Sequence, residues 1–160
     1  MTLKDDGCLI RGLGYVALYA AYLEEAIEDI FFAVAKMEKE QNPKMDLWPI
    51  SQKLKYIDKR IKEWPDLPSE LSAFYKYIEK LLIIFEKRNL LIHGRIYADK
   101  KTGDTLKPAR KGYEAVPAVS AEFYELANQL FAALAPCRKV STGALPRYEA
   151  TRTKNAGCGD

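Results

Sequence analysis

The stretch that decides the fold is residues 69–94, SELSAFYKYIEKLLIIFEKRNLLIHG. Its large apolar side chains recur in steps of three and four, which is the spacing of one face of an α-helix. These positions are Leu71, Phe74, Ile78, Leu81 and Phe85. Ser69 is a favourable N-cap residue, and Glu70 places negative charge in the first turn, where the helix dipole favours it. The next two steps of this seam fall on Arg88 and Ile92, so the sequence predicts a long helix with one charged residue in its apolar seam.

Three further segments have the same helical period. The first covers about residues 9–40 and is ended by Asn42-Pro43. The second covers about residues 50–64, and we expect its lysine-rich face to be solvated: Lys53, Lys55, Lys59 and Lys62. The last begins at Ser120, a favourable N-cap, and is ended by Pro136. The helix over 9–40 is apolar on two flanks, so it needs two partners, and we expect a second copy of the chain to cover one of them.

The pattern changes from helical to extended after Gly94, a residue type that favours the end of a helix. Residues 95–99 and 105–107 predict a short hairpin with Thr102-Gly103 in its turn, and residues 108–117 are irregular with a short strand among them. The predicted fold class is therefore all-α: an up-and-down helical bundle of four main helices with a short β-hairpin before the last helix. We expect one domain over residues 1–139 and a disordered tail over residues 140–160, where Gly, Ser, Thr, Arg and Lys show no periodicity.

Composition excludes several classes of protein. The 160 residues suggest one domain, and 25 Lys and Arg against 22 Asp and Glu give a net charge of +3, too small for a protein that coats polyanions. Cys8, Cys137 and Cys158 are far apart and form no metal-ligand spacing, which fits a reducing compartment without structural zinc. The longest apolar stretch is about half of what a membrane helix needs, and acidic residues on both sides disfavour a signal peptide. We expect a cytoplasmic protein.

The arginine in the seam requires a partner. A buried guanidinium is costly unless a carboxylate, a bound anion or solvent meets it. Asn89 and His93 are four residues apart on one helix face, whereas Arg88 and His93 differ by about 140° around an ideal helix. A purely structural interpretation is also open, in which Arg88 caps the last carbonyls or pairs with Glu24 or Glu28. His93 is the sole histidine, so any histidine chemistry must use it.

The run Arg88-Asn89-Leu90-Leu91-Ile92-His93 resembles the R-N-x3-H form of the Rx4-6H motif of HEPN domains (higher eukaryotes and prokaryotes nucleotide-binding). The resemblance covers roughly residues 9–136, mainly through the order of the helices. That family is an all-α bundle with the motif near the end of its third major helix, and it generally dimerises. Many members are metal-independent endoribonucleases, often toxins or defence effectors, whereas others are inactive and only bind.

The resemblance implies a site and its partners. Arg88, Asn89 and His93 would be catalytic, with RNA as substrate, no cofactor or metal, and an antitoxin as a possible partner of a toxin. A histidine exchanges protons near neutral pH, an arginine binds phosphate oxygens, and Asn89 would orient either the imidazole or the phosphate. Because one chain supplies few groups for this reaction, a homodimer with a composite site is expected.

The hairpin offers candidate substrate contacts. Its basic residues include the candidate phosphate ligands Arg95, Lys100 and Lys101. Arg95 occupies the position two residues after the histidine, where related toxins commonly have a tyrosine that is nucleotidylated, so we do not expect that regulation here. The alternative to a nuclease is an inert HEPN-like module that dimerises or binds a nucleotide or a partner protein.

Overall fold

The computed structural model describes residues 2–40, 42–97, 103–108, 112 and 114–156. The described residues form five α-helices: α1 (Leu9–Met37), α2 (Ile50–Glu63), α3 (Ser69–Ile92), α4 (Ser120–Lys139) and α5 (Leu145–Ala156). A 3-10 helix covers Pro43–Leu47, and a π-helical turn covers Val140–Ala144. Strands β1 (Arg95–Tyr97), β2 (Thr105–Lys107) and β3 (Val116–Pro117) form an antiparallel sheet in the order β1-β2-β3. The predicted all-α bundle with a short hairpin before α4 is confirmed.

The predicted apolar seams are the buried faces of the helices. All five apolar seam positions of α3 are buried, and Arg88, the next position, is half-buried. The α1 seam is likewise buried from Val16 to Val34, and the α4 seam from Phe123 to Leu134. The short strand expected within residues 108–117 is β3, at the end of that stretch. Burial of one apolar stripe per helix therefore explains the helical part of the fold.

The chain forms two compact units, which we describe separately. The first contains Met1–Tyr22 and Ile83–Ala132, and the second contains Leu23–Leu82 and Ala133–Asp160. The first unit includes the candidate motif and the whole sheet. The single domain expected over residues 1–139 stays a prediction.

In the first unit, polar side chains attach the N-terminal segment to α4. The backbone N–H of Leu3 donates to Oδ1 of Asn128 (2.8 Å), and the Asn128 amide donates back to the Leu3 carbonyl (3.1 Å). The Tyr124 hydroxyl donates to Oδ1 of Asp6 at 2.6 Å, and this hydrogen bond lowers the pKa of the Asp6 carboxyl. Burial, together with this carboxylate, raises the pKa of Tyr124 to about 12.

In the second unit, one lysine side chain is buried although the sequence predicts that it is solvated. Lys53 belongs to the lysine-rich face of α2 that the sequence predicts to be solvated, but its side chain is buried. Its Nζ forms an ion pair with Glu28 and lies 5.7 Å from the ring centroids of Phe31 and Phe32. The sequence did not predict this because the carboxylate that makes burial tolerable is 25 residues away in the chain.

Two predictions about the C-terminal region are wrong. Pro136 lies inside α4 rather than ending it, and residues 140–156 are helical rather than disordered. The buried residues of this region continue the α4 seam in helical steps and include Cys137, Val140, Ala144 and Tyr148. The Tyr148 hydroxyl donates to the Pro65 carbonyl at 2.6 Å. Burial of this extended seam offsets the roughly 3 kcal/mol that a proline costs inside a helix.

Two glycines of α1 provide a matched pair for testing the first unit. A Cβ on Gly12 would lie 2.9 Å from Phe123 Cβ, whereas a Cβ on Gly14 would have no neighbour within 4 Å. We expect Gly12→Ala to lower the free energy of unfolding by about 1–3 kcal/mol, because it forces α1 and α4 apart. Gly14→Ala should raise it by about 0.5–1 kcal/mol through helix propensity. Urea unfolding of both variants measures this, and equal effects would contradict the close contact.

The pair formed by Lys53 and Glu28 gives a second prediction. Glu28→Gln should lower the free energy of unfolding by about 1–3 kcal/mol, because it leaves a buried ammonium without its carboxylate. Lys53→Met should leave stability unchanged or raise it, since the apolar stem is kept and Glu28 is half-exposed. Lys55→Met, at an exposed position of the same helix, is the control. A Lys53→Met protein as unstable as Glu28→Gln would show that the ion pair itself stabilises the fold.

Candidate functional site

The candidate catalytic residues lie at the C-terminal end of α3. The helix ends at Ile92, so His93 is the first residue beyond it, and its backbone N–H donates to the Asn89 carbonyl at 3.1 Å. The His93 side chain is exposed. An imidazole in this position is accessible to a large substrate such as RNA.

Arg88 and Asn89 interact directly. Nη1 of Arg88 donates to Oδ1 of Asn89 at 2.9 Å. Because the amide oxygen accepts this bond, the NH2 group of Asn89 keeps its two donors for other acceptors. The guanidinium is half-buried and the amide is exposed. Of the carboxylates considered from the sequence, Glu28 forms its ion pair with Lys53.

The sheet packs tightly against the end of α3. A Cβ on Gly94 would lie 2.5 Å from Cδ1 of Leu106 in β2 and 2.9 Å from the Leu90 carbonyl oxygen in α3. Such approaches are too close for any side chain, so the glycine that follows His93 is required by space. The sequence suggested that Gly94 ends the helix; the structure adds that it allows β2 to lie against α3.

Arg95, the candidate phosphate ligand on β1, is exposed and pairs with Lys107 on β2. Lys107 belongs to the basic residues of the hairpin region, but only the strand register brings it directly opposite Arg95. The register also pairs Tyr97 with Thr105. The other two candidate ligands, Lys100 and Lys101, lie outside the described residues.

A cavity of about 440 Å³ lies in the first unit beside the motif, a size typical of a ligand-binding site. Its apolar wall includes Leu90 and Leu91, the first two variable positions of the motif, together with Leu106 and Leu126. The charged lining residues are Lys87, Glu114, Glu122 and Glu125. Sequence reasoning missed this cavity because its walls come from four separate segments, in α3, β2, β3 and α4. The signal that the sequence offered was two leucines within the motif.

A membrane-spanning helix and a reactive thiol are two further features that could indicate a function. No helix in the described part of the chain is both long enough and apolar enough to span a bilayer. Cys137 is fully buried, and burial raises the pKa of its thiol to about 12, so it is a core residue rather than a reactive thiol.

No protein-family model, curated protein or solved structure matches this chain. The resemblance to HEPN domains therefore depends on the residues Arg88 to His93 and on their position at the end of the third main helix.

The contact between Gly94 and Leu106 can be tested. Gly94→Ala should lower the free energy of unfolding by about 1–3 kcal/mol, because the added methyl group displaces Leu106 from its buried position. The double variant Gly94→Ala, Leu106→Ala should lose less stability than the sum of the two single variants, since Leu106→Ala removes the contact with Cδ1 but not the approach to the Leu90 carbonyl oxygen. Thermal and urea unfolding measure both. If the two substitutions were simply additive, the steric explanation would be wrong.

Proposed function

We propose that this chain is a HEPN-type, metal-independent endoribonuclease that cuts RNA at a composite site of a homodimer. The observation that carries the proposal is the arrangement at the end of α3. The half-buried Arg88 donates a hydrogen bond to Asn89. His93 is exposed and is the first residue beyond the end of the helix. This arrangement offers a proton-transfer group and phosphate ligands within six consecutive residues at the end of α3.

These groups suit cleavage by the 2′-hydroxyl of RNA. A neutral imidazole accepts the 2′-hydroxyl proton while the 2′-oxygen attacks phosphorus. The bond between phosphorus and the 5′-oxygen breaks, and a protonated imidazole donates a proton to that leaving oxygen. The products are a 2′,3′-cyclic phosphate and a 5′-hydroxyl. The guanidinium of Arg88 and the amide of Asn89 stabilise the charge on the pentacoordinate phosphorus.

The need for two imidazoles supports the homodimer. One His93 cannot act as base and acid on opposite sides of the same phosphorus, and the chain has no second histidine. A two-fold dimer supplies His93 twice. Large exposed apolar residues of α1 in the first unit provide candidate contact surface: Ile10, Leu18 and Tyr22.

The nuclease activity gives a direct prediction. Purified protein should cut RNA in the presence of EDTA and leave 2′,3′-cyclic phosphate ends. His93→Ala and Arg88→Ala should each reduce the rate at least about 100-fold, with circular dichroism and dimerisation unchanged. Lys55→Ala is the control at an exposed position. Cutting by His93→Ala at the wild-type rate would refute the proposal.

Subunit mixing tests the composite site separately. Adding a ninefold excess of His93→Ala protein should reduce wild-type activity well beyond simple dilution, because most wild-type chains would then share a cleft with only one imidazole. Activity that follows the wild-type concentration alone would show that each chain acts by itself. In that case the dimer part of the proposal fails.

A second candidate function is an inert HEPN-like module that binds a partner protein. The observation that favours it is the apolar cavity with Glu114, Glu122 and Glu125 in its lining. These carboxylates would repel the phosphates of a nucleotide, so they favour a partner segment with apolar and basic residues. Expression in a bacterium separates the two functions, since an active toxin slows growth and an inert module does not. A cognate antitoxin is expected only if the protein is an active nuclease.

A further inference from the structure

We propose that the solvent face of the β1–β2 hairpin binds an unpaired segment of RNA beside His93. Arg95 and Lys107 would hold its phosphates, and Tyr97 would stack on a base. We call these three side chains the hairpin face. The inference rests on the proposed nuclease function, which it extends by naming where the substrate lies and why it is single-stranded.

Strand register defines the hairpin face. Arg95 pairs with Lys107, Ile96 with Leu106, and Tyr97 with Thr105. Because side chains alternate across a strand, the first and third pairs share one side of the sheet and the middle pair lies on the other. Leu106 is 2% exposed, so the middle pair marks the inner side. Arg95, Tyr97 and Lys107 are exposed. On β1 the inner-side residue Ile96 is also 38% exposed, so the buried Leu106 is the residue that distinguishes the two sides.

The paired cations on this face favour an anionic ligand. Like charges directly opposite each other on neighbouring strands destabilise a hairpin. A phosphate placed between the two side chains replaces this repulsion by attraction, and the Arg95 guanidinium can bind its oxygens in a bidentate manner. Cross-strand neighbours lie about 5 Å apart at Cβ, so both side chains can reach one nucleic-acid backbone.

The tyrosine favours an unpaired base over a duplex. Tyr97 is 49% exposed at the end of β1, on the same side as the two cations. An exposed aromatic ring next to basic side chains is the combination by which proteins bind single strands, because every unpaired base offers a flat surface for stacking. In a duplex the bases are already stacked on one another, so Tyr97 would contribute little to binding it.

The hairpin face is held close to the catalytic residues. Only Gly94 separates His93 from Arg95, so the two Cα atoms lie at most about 7 Å apart. The tight contact of Gly94 with Leu106 fixes β2 against the end of α3. RNA bound by Arg95 and Lys107 would therefore lie close to His93. The sequence alone placed Arg95 near the site but did not indicate Tyr97 or its alignment with Lys107.

The experiment measures RNA binding without cleavage. In the His93→Ala background, fluorescence anisotropy with a labelled 12-nucleotide single-stranded RNA gives the affinity at several salt concentrations. Tyr97→Ala should weaken binding about tenfold, whereas Tyr97→Phe, which keeps the ring, should bind like the parent. The double variant Arg95→Gln, Lys107→Gln should reduce the slope of log affinity against log salt by about 1.4, the value for two phosphate contacts.

Three controls complete the design. Lys55→Gln, Lys59→Gln removes the same charge from an exposed face of α2 and should leave the salt slope unchanged. Duplex RNA of the same sequence should bind more weakly and without dependence on Tyr97. Single-stranded DNA should show the same dependence on Tyr97, because stacking and phosphate contacts do not use the 2′-hydroxyl; selection for RNA then comes from the cleavage chemistry.

The outcomes separate the two proposals. Binding that depends on Tyr97 and on the two cations supports the hairpin face even if the wild-type protein cuts no RNA, in which case only the nuclease proposal fails. If the wild-type protein cuts RNA but the hairpin variants bind and cut normally, the hairpin face is wrong and the nuclease remains. The hairpin-face proposal would also be overturned if the α2 control lost as much of the slope of log affinity against log salt as the hairpin double variant.

Discussion

The apolar seam of α3 is the constraint on which the rest of the arrangement depends. Five successive seam residues are buried, and this burial fixes which side of the helix faces the core. The next position of the seam is Arg88, so the same geometry brings a guanidinium to the border between the core and solvent. A charge held there keeps its hydrogen-bonding capacity while its stem is anchored by packing. The hydrogen bond from Nη1 of Arg88 to Asn89 is one such contact.

Helix positions were predictable from the sequence wherever the deciding interactions were local and periodic. The seams of α1, α3 and α4 alternate in steps of three and four, and no long-range information is needed to see them. The C-terminal helix was not predictable in this way. Pro136 is a strong local signal to end a helix, and the apolar residues beyond it are sparse, with Val140, Ala144 and Tyr148 each three or four positions from the next. Their burial is a tertiary effect that outweighs the local signal.

The candidate site was predictable in its residue types but not in its surroundings. Arg88, Asn89 and His93 were identifiable from one short stretch, because a charge in an apolar seam is visible without a structure. The residues that face each other across the hairpin were not predictable, because the pairing of Arg95 with Lys107 depends on strand register across a turn. Lys53 illustrates the same limit, because its burial depends on a carboxylate contributed by another helix.

The three-stranded sheet separates two surfaces of opposite charge. Leu106 and Val116 line the cavity that also carries Glu114, Glu122 and Glu125, whereas Arg95 and Lys107 project from the outer side of the hairpin. An anionic chain and a cationic partner are therefore directed to different surfaces of one small sheet. Because Leu90 and Leu91 line the cavity and belong to the candidate motif, a ligand bound there would contact that motif without occupying the outer side of the hairpin.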